Sequence, residues 1–232
     1  MRFLHRYWPS FLPRSLLRPL LLLAALTFLI ALTAALNIGT LALRGGLVWN
    51  MFLAGTPLLF ALFILVAQQL RWKKIFTLPL WLLWLFLFPN APYMITDWLY
   101  VPWLELTWDD TAAGKWFGLL HLSAGIVVGL CFGLLSLLLL HRHVAKRYGR
   151  ATGWVFAGTA CFLSGVGIWI GRCMRFNTWD IWQNPLHLLR MVFGQLDWDA
   201  AKLCLVFAVM TAGAYLLLHV FLPLDMRTET DA

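Results

Sequence analysis

Apolar stretches close to the length of a bilayer-crossing helix recur along this chain, and they constrain its fold more than any other feature. Six such stretches occur, at residues 16–36, 47–67, 75–88, 116–140, 151–170 and 201–222. A spanning helix needs about 20 apolar residues, so only the third stretch is short. The pattern predicts an all-α fold, a polytopic membrane bundle of about six transmembrane helices that forms one domain over residues 1–232.

The charge content supports lipid as the solvent of this chain. Charged residues make up 12% of the sequence and hydrophobic residues 62%, whereas a soluble domain carries about 25% charged residues. The first apolar stretch follows a basic tail, as in a secretory signal. Its apolar core is longer than the roughly 7–15 residues of such signals, so an uncleaved first helix is predicted.

The basic residues are distributed unevenly between the two sides that six spans would create. One side receives 12 of the 18 Lys and Arg residues, and the other receives seven of the ten Asp and Glu residues. The positive-inside rule then predicts a multi-pass protein of the inner, cytoplasmic cell membrane with both chain termini in the cytoplasm. Because this asymmetry is explained by membrane orientation, no nucleic-acid partner is predicted.

The segment "FPNAPYMITD", Phe88 to Asp97, interrupts the apolar pattern on the outer side. Pro89 lacks a backbone donor, and Pro92 disfavours the helical region for the residue before it. The spacing therefore predicts a helix break followed by a short second helix, with Asn90 as its N-cap. Residues 91–104 are expected to be either interfacial or re-entrant, because a broken helix must line protein or water.

A second outer segment, "SGVGIWIGRCMRFNTWDIWQNP", holds Arg172 and Arg175 three residues apart on one helical face. Residues 186–196 after it predict a short helix lying in the interface. Arginines at a membrane edge need carboxylate partners or an anionic ligand, and their planar fork suits phosphate. The predicted ligand-binding residues are Asn90, Tyr93, Asp97, Arg172, Arg175, Asn177, Asp180 and Asn184.

Three functions fit this cluster. In the first, it binds or acts on an anionic lipid-type headgroup, with Asp97 or Asp180 as the general base if the protein is an enzyme. In the second, the protein is a small transporter. In the third, it is a non-catalytic membrane partner subunit in which an Asp97 ion pair is a structural clasp. The residues alone leave the three open.

Together the two quoted segments resemble the paired signature of a bacterial family of integral membrane proteins of unknown function, domain-of-unknown-function family 1361 (DUF1361). The resemblance runs approximately from the second to the sixth stretch. It implies a compact multi-helix bacterial membrane protein and implies no reaction, substrate or cofactor. The positions that it singles out are Pro89, Asn90, Pro92, Tyr93, Asp97, Gly171, Arg172, Arg175, Asn177, Asp180 and Asn184.

Small residues form a further pattern in the fourth stretch, where Gly125, Gly129 and Gly133 are spaced by four. This spacing favours close helix packing within the chain over self-association through the same glycines. The histidines and cysteines show no metal-ligand spacing, so neither a metal nor a cofactor is predicted.

Overall fold

The computed structural model describes residues 16–35, 44–105, 111–174 and 185–222, which form helices and short connections with no strand among them. In chain order the elements are α1 (Leu17–Ala35), α2 (Arg44–Gln69), α3 (Lys74–Leu87), α4 (Asn90–Tyr93), a 3₁₀ helix (Met94–Leu104), α5 (Ala113–Tyr148), α6 (Arg150–Arg172), α7 (Pro185–Gly194) and α8 (Trp198–Phe221). The predicted all-α fold is confirmed.

The described helices include five segments long and apolar enough to cross a membrane. They are Gly46–Gln69, Lys74–Pro102, Ala113–Tyr148, Arg150–Arg172 and Trp198–Phe221. The first helix is apolar over Leu17–Thr33 and is shorter than these. Large apolar side chains such as Phe28, 68% exposed, and Phe221, 79% exposed, cover the outside of the bundle, as lipid contact requires. The chain is therefore a multi-pass membrane protein, and a sixth span formed by α1 stays a prediction.

Helix α5 is the centre of the bundle. It contacts α1, α2, α4, the 3₁₀ helix, α6 and α8, and the side chains of Leu137–Leu140 are fully buried. A helix that is buried all round can be apolar on every face. With 36 residues, α5 is about 54 Å long and extends beyond the roughly 30 Å hydrocarbon core.

Three glycines let other helices approach α5 closely. They are Gly125, Gly129 and Gly133. A Cβ atom added to the first would lie 2.7 Å from Leu47 of α2, and one added to the second 2.8 Å from Met94 of the 3₁₀ helix. A Cβ atom on the third would overlap Ala91 of α4. The glycine stripe packs within the chain as predicted, and self-association through it stays a prediction.

Helix α3 ends at Leu87 and the predicted short second helix follows as α4, but the backbone between them differs from the predicted break. Phe88 has φ −53° and ψ −40°, and Pro89 has φ −58° and ψ −23°, so the backbone stays in the right-handed helical region. The Ala91 amide donates to the Phe88 carbonyl at 3.2 Å, and the Tyr93 amide donates to the Pro89 carbonyl at 3.0 Å. The expectation that Pro92 moves Ala91 out of the helix is wrong. The prolines instead accompany a change from α-helical to 3₁₀ hydrogen bonding.

The predicted N-cap role of Asn90 is also wrong, because Asn90 is the first residue of α4 and caps no amide. Its side-chain Nδ2 donates to the carbonyl oxygen of Leu87 at 2.9 Å. An N-cap residue has extended backbone geometry, whereas this stretch is helical throughout. The third apolar segment therefore continues beyond the predicted residues 75–88 and runs from Lys74 to Pro102 over 29 residues.

Ring contacts show which helix ends lie together. The imidazole rings of His141 on α5 and His219 on α8 stack with centroids 5.5 Å apart, and Trp81 of α3 lies 6.4 Å from His143 of α5. The C-terminal part of α5 thus contacts the C-terminal end of α8 and the middle of α3. We call this the basic end, because it carries the described residues Arg18, Arg71, Lys73, Lys74, Arg142, Lys146, Arg147 and Arg150. All four described acidic residues, Asp97, Glu105, Asp197 and Asp199, belong to the opposite end.

The short helix predicted over residues 186–196 is present as α7, Pro185–Gly194. Its side chains Leu186 and Phe193 are 68% and 73% exposed. Exposed apolar residues beside Arg190 are typical of a helix that lies in the membrane interface. That location stays a prediction.

Candidate functional site

An ion pair joins the last residue of α6 to the 3₁₀ helix at the end of the bundle opposite the basic end. Nη2 of Arg172 lies 3.0 Å from Oδ1 of Asp97. The Asp97 side chain is 1% exposed, whereas that of Arg172 is 21% exposed. The sequence reasoning placed these two residues within reach of each other, and the structure brings them together.

Two further polar side chains complete the hydrogen bonding of this pair. Asn50 of α2 donates from Nδ2 to Oδ2 of Asp97 at 2.8 Å, so both carboxylate oxygens accept a hydrogen bond. The Thr96 hydroxyl accepts from Nε of Arg172 at 2.9 Å and also from Nη2. That hydroxyl donates in turn to the carbonyl oxygen of Tyr93 at 2.7 Å. Buried charges are stable only when paired and hydrogen-bonded in this way.

Two tyrosine rings lie against the guanidinium group. Cζ of Arg172 is 4.6 Å from the ring centroid of Tyr93 and 5.9 Å from that of Tyr100. Both distances allow a cation–π interaction, which the planar guanidinium forms more readily than a lysine ammonium. We call the assembly the Arg172 cluster, and its members are Asn50, Tyr93, Thr96, Asp97, Tyr100 and Arg172.

Local sequence explains why these groups converge. Four members of the cluster come from one stretch, which starts at the last residue of α4 and continues in the 3₁₀ helix: Tyr93, Thr96, Asp97 and Tyr100. In a 3₁₀ helix residues three apart share a face, so Thr96 follows Tyr93 on one face and Tyr100 follows Asp97 on the next. Helix α6 approaches that stretch closely because residue 167 is glycine. A Cβ atom on Gly167 would lie 2.7 Å from the ring of Pro89. Close packing thus brings Arg172, five residues further along α6, to the carboxylate.

A groove of about 860 Å³ lies beside the Arg172 cluster. Residues of α2, α3, α4 and α6 line it, together with Pro89. Its polar lining residues are Asn50, Asn90 and Tyr93, and the other lining residues are apolar or glycine. Since Asn50 and Tyr93 are members of the cluster, and the lining residue Gly171 directly precedes Arg172, the ion pair borders one end of an apolar groove.

A family model described as a protein of unknown function (DUF1361) matches residues 49–213 of the chain. The chain belongs to the DUF1361 family. The match includes every member of the Arg172 cluster and both segments that carried the resemblance. No curated protein and no solved structure matches the chain.

The structure describes four of the eight predicted site residues of this DUF1361 protein and places them differently. Tyr93, Asp97 and Arg172 are in direct contact, and Asn90 lines the groove while its side chain is bonded to Leu87. The predicted site residues outside the described residues are Arg175, Asn177, Asp180 and Asn184. Asp180, the second catalytic candidate, is one of these residues.

Sequence reasoning missed Asn50 and Tyr100 as members of the site. Asn50 is a single amide in the otherwise apolar stretch "LVWNMFLAG". A polar side chain inside a spanning helix is costly unless it has a partner, and that signal was available. Tyr100 gave no comparable signal, because aromatic residues near a membrane surface usually serve as anchors.

Proposed function

We propose that this DUF1361 protein binds an anionic lipid-type headgroup at the Arg172 cluster. The observation that carries the proposal is the unequal burial of the ion pair. Asp97 is 1% exposed, while Arg172 remains 21% exposed beside the groove. A guanidinium with one buried and one accessible edge can be held by the protein and still present N–H donors to a ligand.

The hydrogen-bond inventory of Arg172 supports this division. Of the guanidinium nitrogens, Nε and Nη2 donate to Thr96 and Asp97. Among the described residues, Nη1 donates to no acceptor. Its two N–H groups suit a phosphate or carboxylate oxygen, and charge-assisted bonds of this kind contribute about 1.5–3 kcal/mol each.

The contacts of Asp97 favour a positioning role over general-base catalysis. Its two oxygens already accept from Arg172 and Asn50. A general base must lie within hydrogen-bond reach of the proton that it removes, and a carboxylate that is 1% exposed offers little access. We therefore assign Asp97 the role of holding Arg172 in place.

A lipid-retention experiment tests the proposal. The double variant Asp97→Asn/Arg172→Gln removes both charges, so that neither is left buried without a partner. In detergent, the purified wild type is expected to retain long-chain phosphatidylglycerol over phosphatidylcholine in native mass spectrometry. The double variant is expected to lose that preference by about tenfold, the equivalent of one charge-assisted hydrogen bond.

The matched control is Lys202→Gln. Lys202 pairs with Asp199 at 2.9 Å at the same end of the bundle, but both side chains are exposed, at 56% and 82%. This variant also removes a positive charge and is expected to retain lipid like the wild type. If the double variant is folded and keeps the wild-type preference, lipid binding at Arg172 is refuted. The ion pair is then a structural clasp, the role that the burial of Asp97 favours as the second candidate.

We further infer the orientation in a bacterial inner membrane. The basic end carries eight described Lys and Arg residues and none of the described acidic residues. Cytoplasmic loops carry such an excess of basic residues. The basic end then faces the cytoplasm, and the Arg172 cluster lies at the outer leaflet.

A further inference from the structure

We propose that the groove beside the Arg172 cluster holds an acyl or isoprenoid chain of the same ligand, so that the ligand is a long-chain amphiphile taken from the bilayer. This inference rests on the proposed function, since the headgroup would lie at Arg172. With a tail in the groove, the ligand at Arg172 is a membrane lipid and not a soluble anion.

The length of the groove fits one leaflet. On α6 the lining extends from Leu163 to Gly171, next to Arg172. Leu163 lies nine residues before Arg172, which is about 14 Å along a helix. Half of a roughly 30 Å hydrocarbon core is about 15 Å. A chain whose headgroup is held at Arg172 would thus run along the groove toward the middle of the membrane.

The walls of the groove are apolar and partly open to lipid. Trp49 of α2, Leu82 of α3 and Leu163 of α6 line it and are 51%, 58% and 38% exposed. On α6, the glycines Gly167 and Gly171 contribute wall without a side chain. The volume of about 860 Å³ lies within the roughly 300–1,000 Å³ typical of small-molecule sites.

The positive charge of Arg172 beside one end of the groove favours the tail of an anionic lipid as its occupant over an unrelated apolar molecule. Lipid tails are as apolar as leucine, so moving a chain from the bilayer into the groove gives no hydrophobic gain, and the groove contributes through the packing of a chain against its walls. Selection of the ligand must come from its polar end, and the groove lining reaches Gly171, the residue before Arg172. The groove then adds selectivity for chain length and shape.

A matched pair of substitutions on α3 tests the groove. Leu78 and Leu82 are one turn apart and 59% and 58% exposed, but only Leu82 lines the groove. The probes are long-chain phosphatidylglycerol and a short-chain form with the same headgroup, added to the delipidated protein in detergent. Leu82→Trp is expected to lower retention of the long-chain lipid about tenfold and to leave short-chain binding unchanged. Leu78→Trp is expected to match the wild type.

The outcomes separate the groove from the headgroup site. If the wild type retains both chain lengths equally, or Leu82→Trp has no effect, the groove proposal is overturned while anion binding at Arg172 stands. If the wild type retains neither lipid, the proposed headgroup function fails, and the groove proposal fails with it. Leu163→Trp, on the opposite wall, replaces Leu82→Trp if that variant does not fold.

Discussion

Removing the carboxylate of Asp97 should destabilise the bundle by about 3 kcal/mol. Breaking a buried ion pair by removing one partner costs about 3–5 kcal/mol, because the other charge is left unpaired. Arg172 is 21% exposed, so water solvates it in part and the lower end of that range applies. Nδ2 of Asn50 also loses its acceptor, because in the wild type it donates to Oδ2 of Asp97 at 2.8 Å. The variant Asp97→Ala is therefore expected to unfold well before the wild type.

Thermal unfolding in detergent, followed by tryptophan fluorescence at one scan rate, measures the effect. A loss of 1 kcal/mol lowers Tm by about 2–4 °C for a chain of this size, so Asp97→Ala should lower it by about 6–12 °C. In Asp97→Asn the new amide oxygen still accepts from Arg172. The new NH₂ group can donate to Oδ1 of Asn50 if the Asn50 side-chain amide rotates by about 180°. The expected loss for this variant is about 1–2 kcal/mol, because the bond from Arg172 to a neutral amide oxygen is weaker than the bond to the carboxylate that it replaces.

A double-mutant cycle separates the pair from its surroundings. In Asp97→Ala/Arg172→Ala no buried charge remains, so the double variant should be less destabilised than the sum of the single variants by about 1–3 kcal/mol. Additive losses would refute an energetic coupling between the two side chains. A shift below about 2 °C in Asp97→Ala would refute the stated burial cost.

Two other predictions concern the packing of α6 and the orientation of the bundle. A Cβ atom on Gly165 would overlap the backbone carbonyl of Cys204 in α8, whereas Gly158 on the same helix faces open space. Gly165→Ala should therefore lower the free energy of unfolding by about 1–3 kcal/mol and Gly158→Ala should not lower it, as measured by Tm. Cys173 is exposed beside Arg172, so a membrane-impermeant maleimide should label it in intact cells and should not label the Cys173→Ser variant. Labelling that requires permeabilised cells would reverse the inferred orientation.

The helical bundle could be predicted from the sequence because lipid leaves few alternatives. Backbone groups in the hydrocarbon core must be satisfied within the segment, so apolar stretches of sufficient length become helices. The predicted stretch 116–140 nevertheless lies inside a longer helix, Ala113–Tyr148. Its last turns, "HRHVAKRY", are mostly polar and contain no helix breaker. The helix therefore continues past Leu140, where the sequence prediction had ended it because the apolar residues end there.

The segment around Pro89 shows where local rules fail. Prolines and a following asparagine favour a break with an N-cap in an isolated chain. In the bundle, Ala91 is fully buried against Gly133 of α5, and Pro89 packs on Gly167 of α6. These two contacts are made between residues far apart in the sequence, and tertiary packing of this kind overrides local propensity. The pairing of Asp97 with an arginine was predictable because it follows from the cost of an unpaired charge.

The clasp and the proposed binding site use the same arginine, and the packing around α6 makes the two roles compatible. The position of α6 does not depend on the ion pair alone, since Gly167 already packs against Pro89. Arg172 also ends its helix, where a cation is stabilised by the helix dipole whether or not a ligand is bound. An anion at Nη1 can therefore share the guanidinium with Asp97 without separating α6 from α4. The double variant Asp97→Asn/Arg172→Gln keeps the packing and removes both charges. We therefore expect it to lose lipid retention without a matching loss of stability.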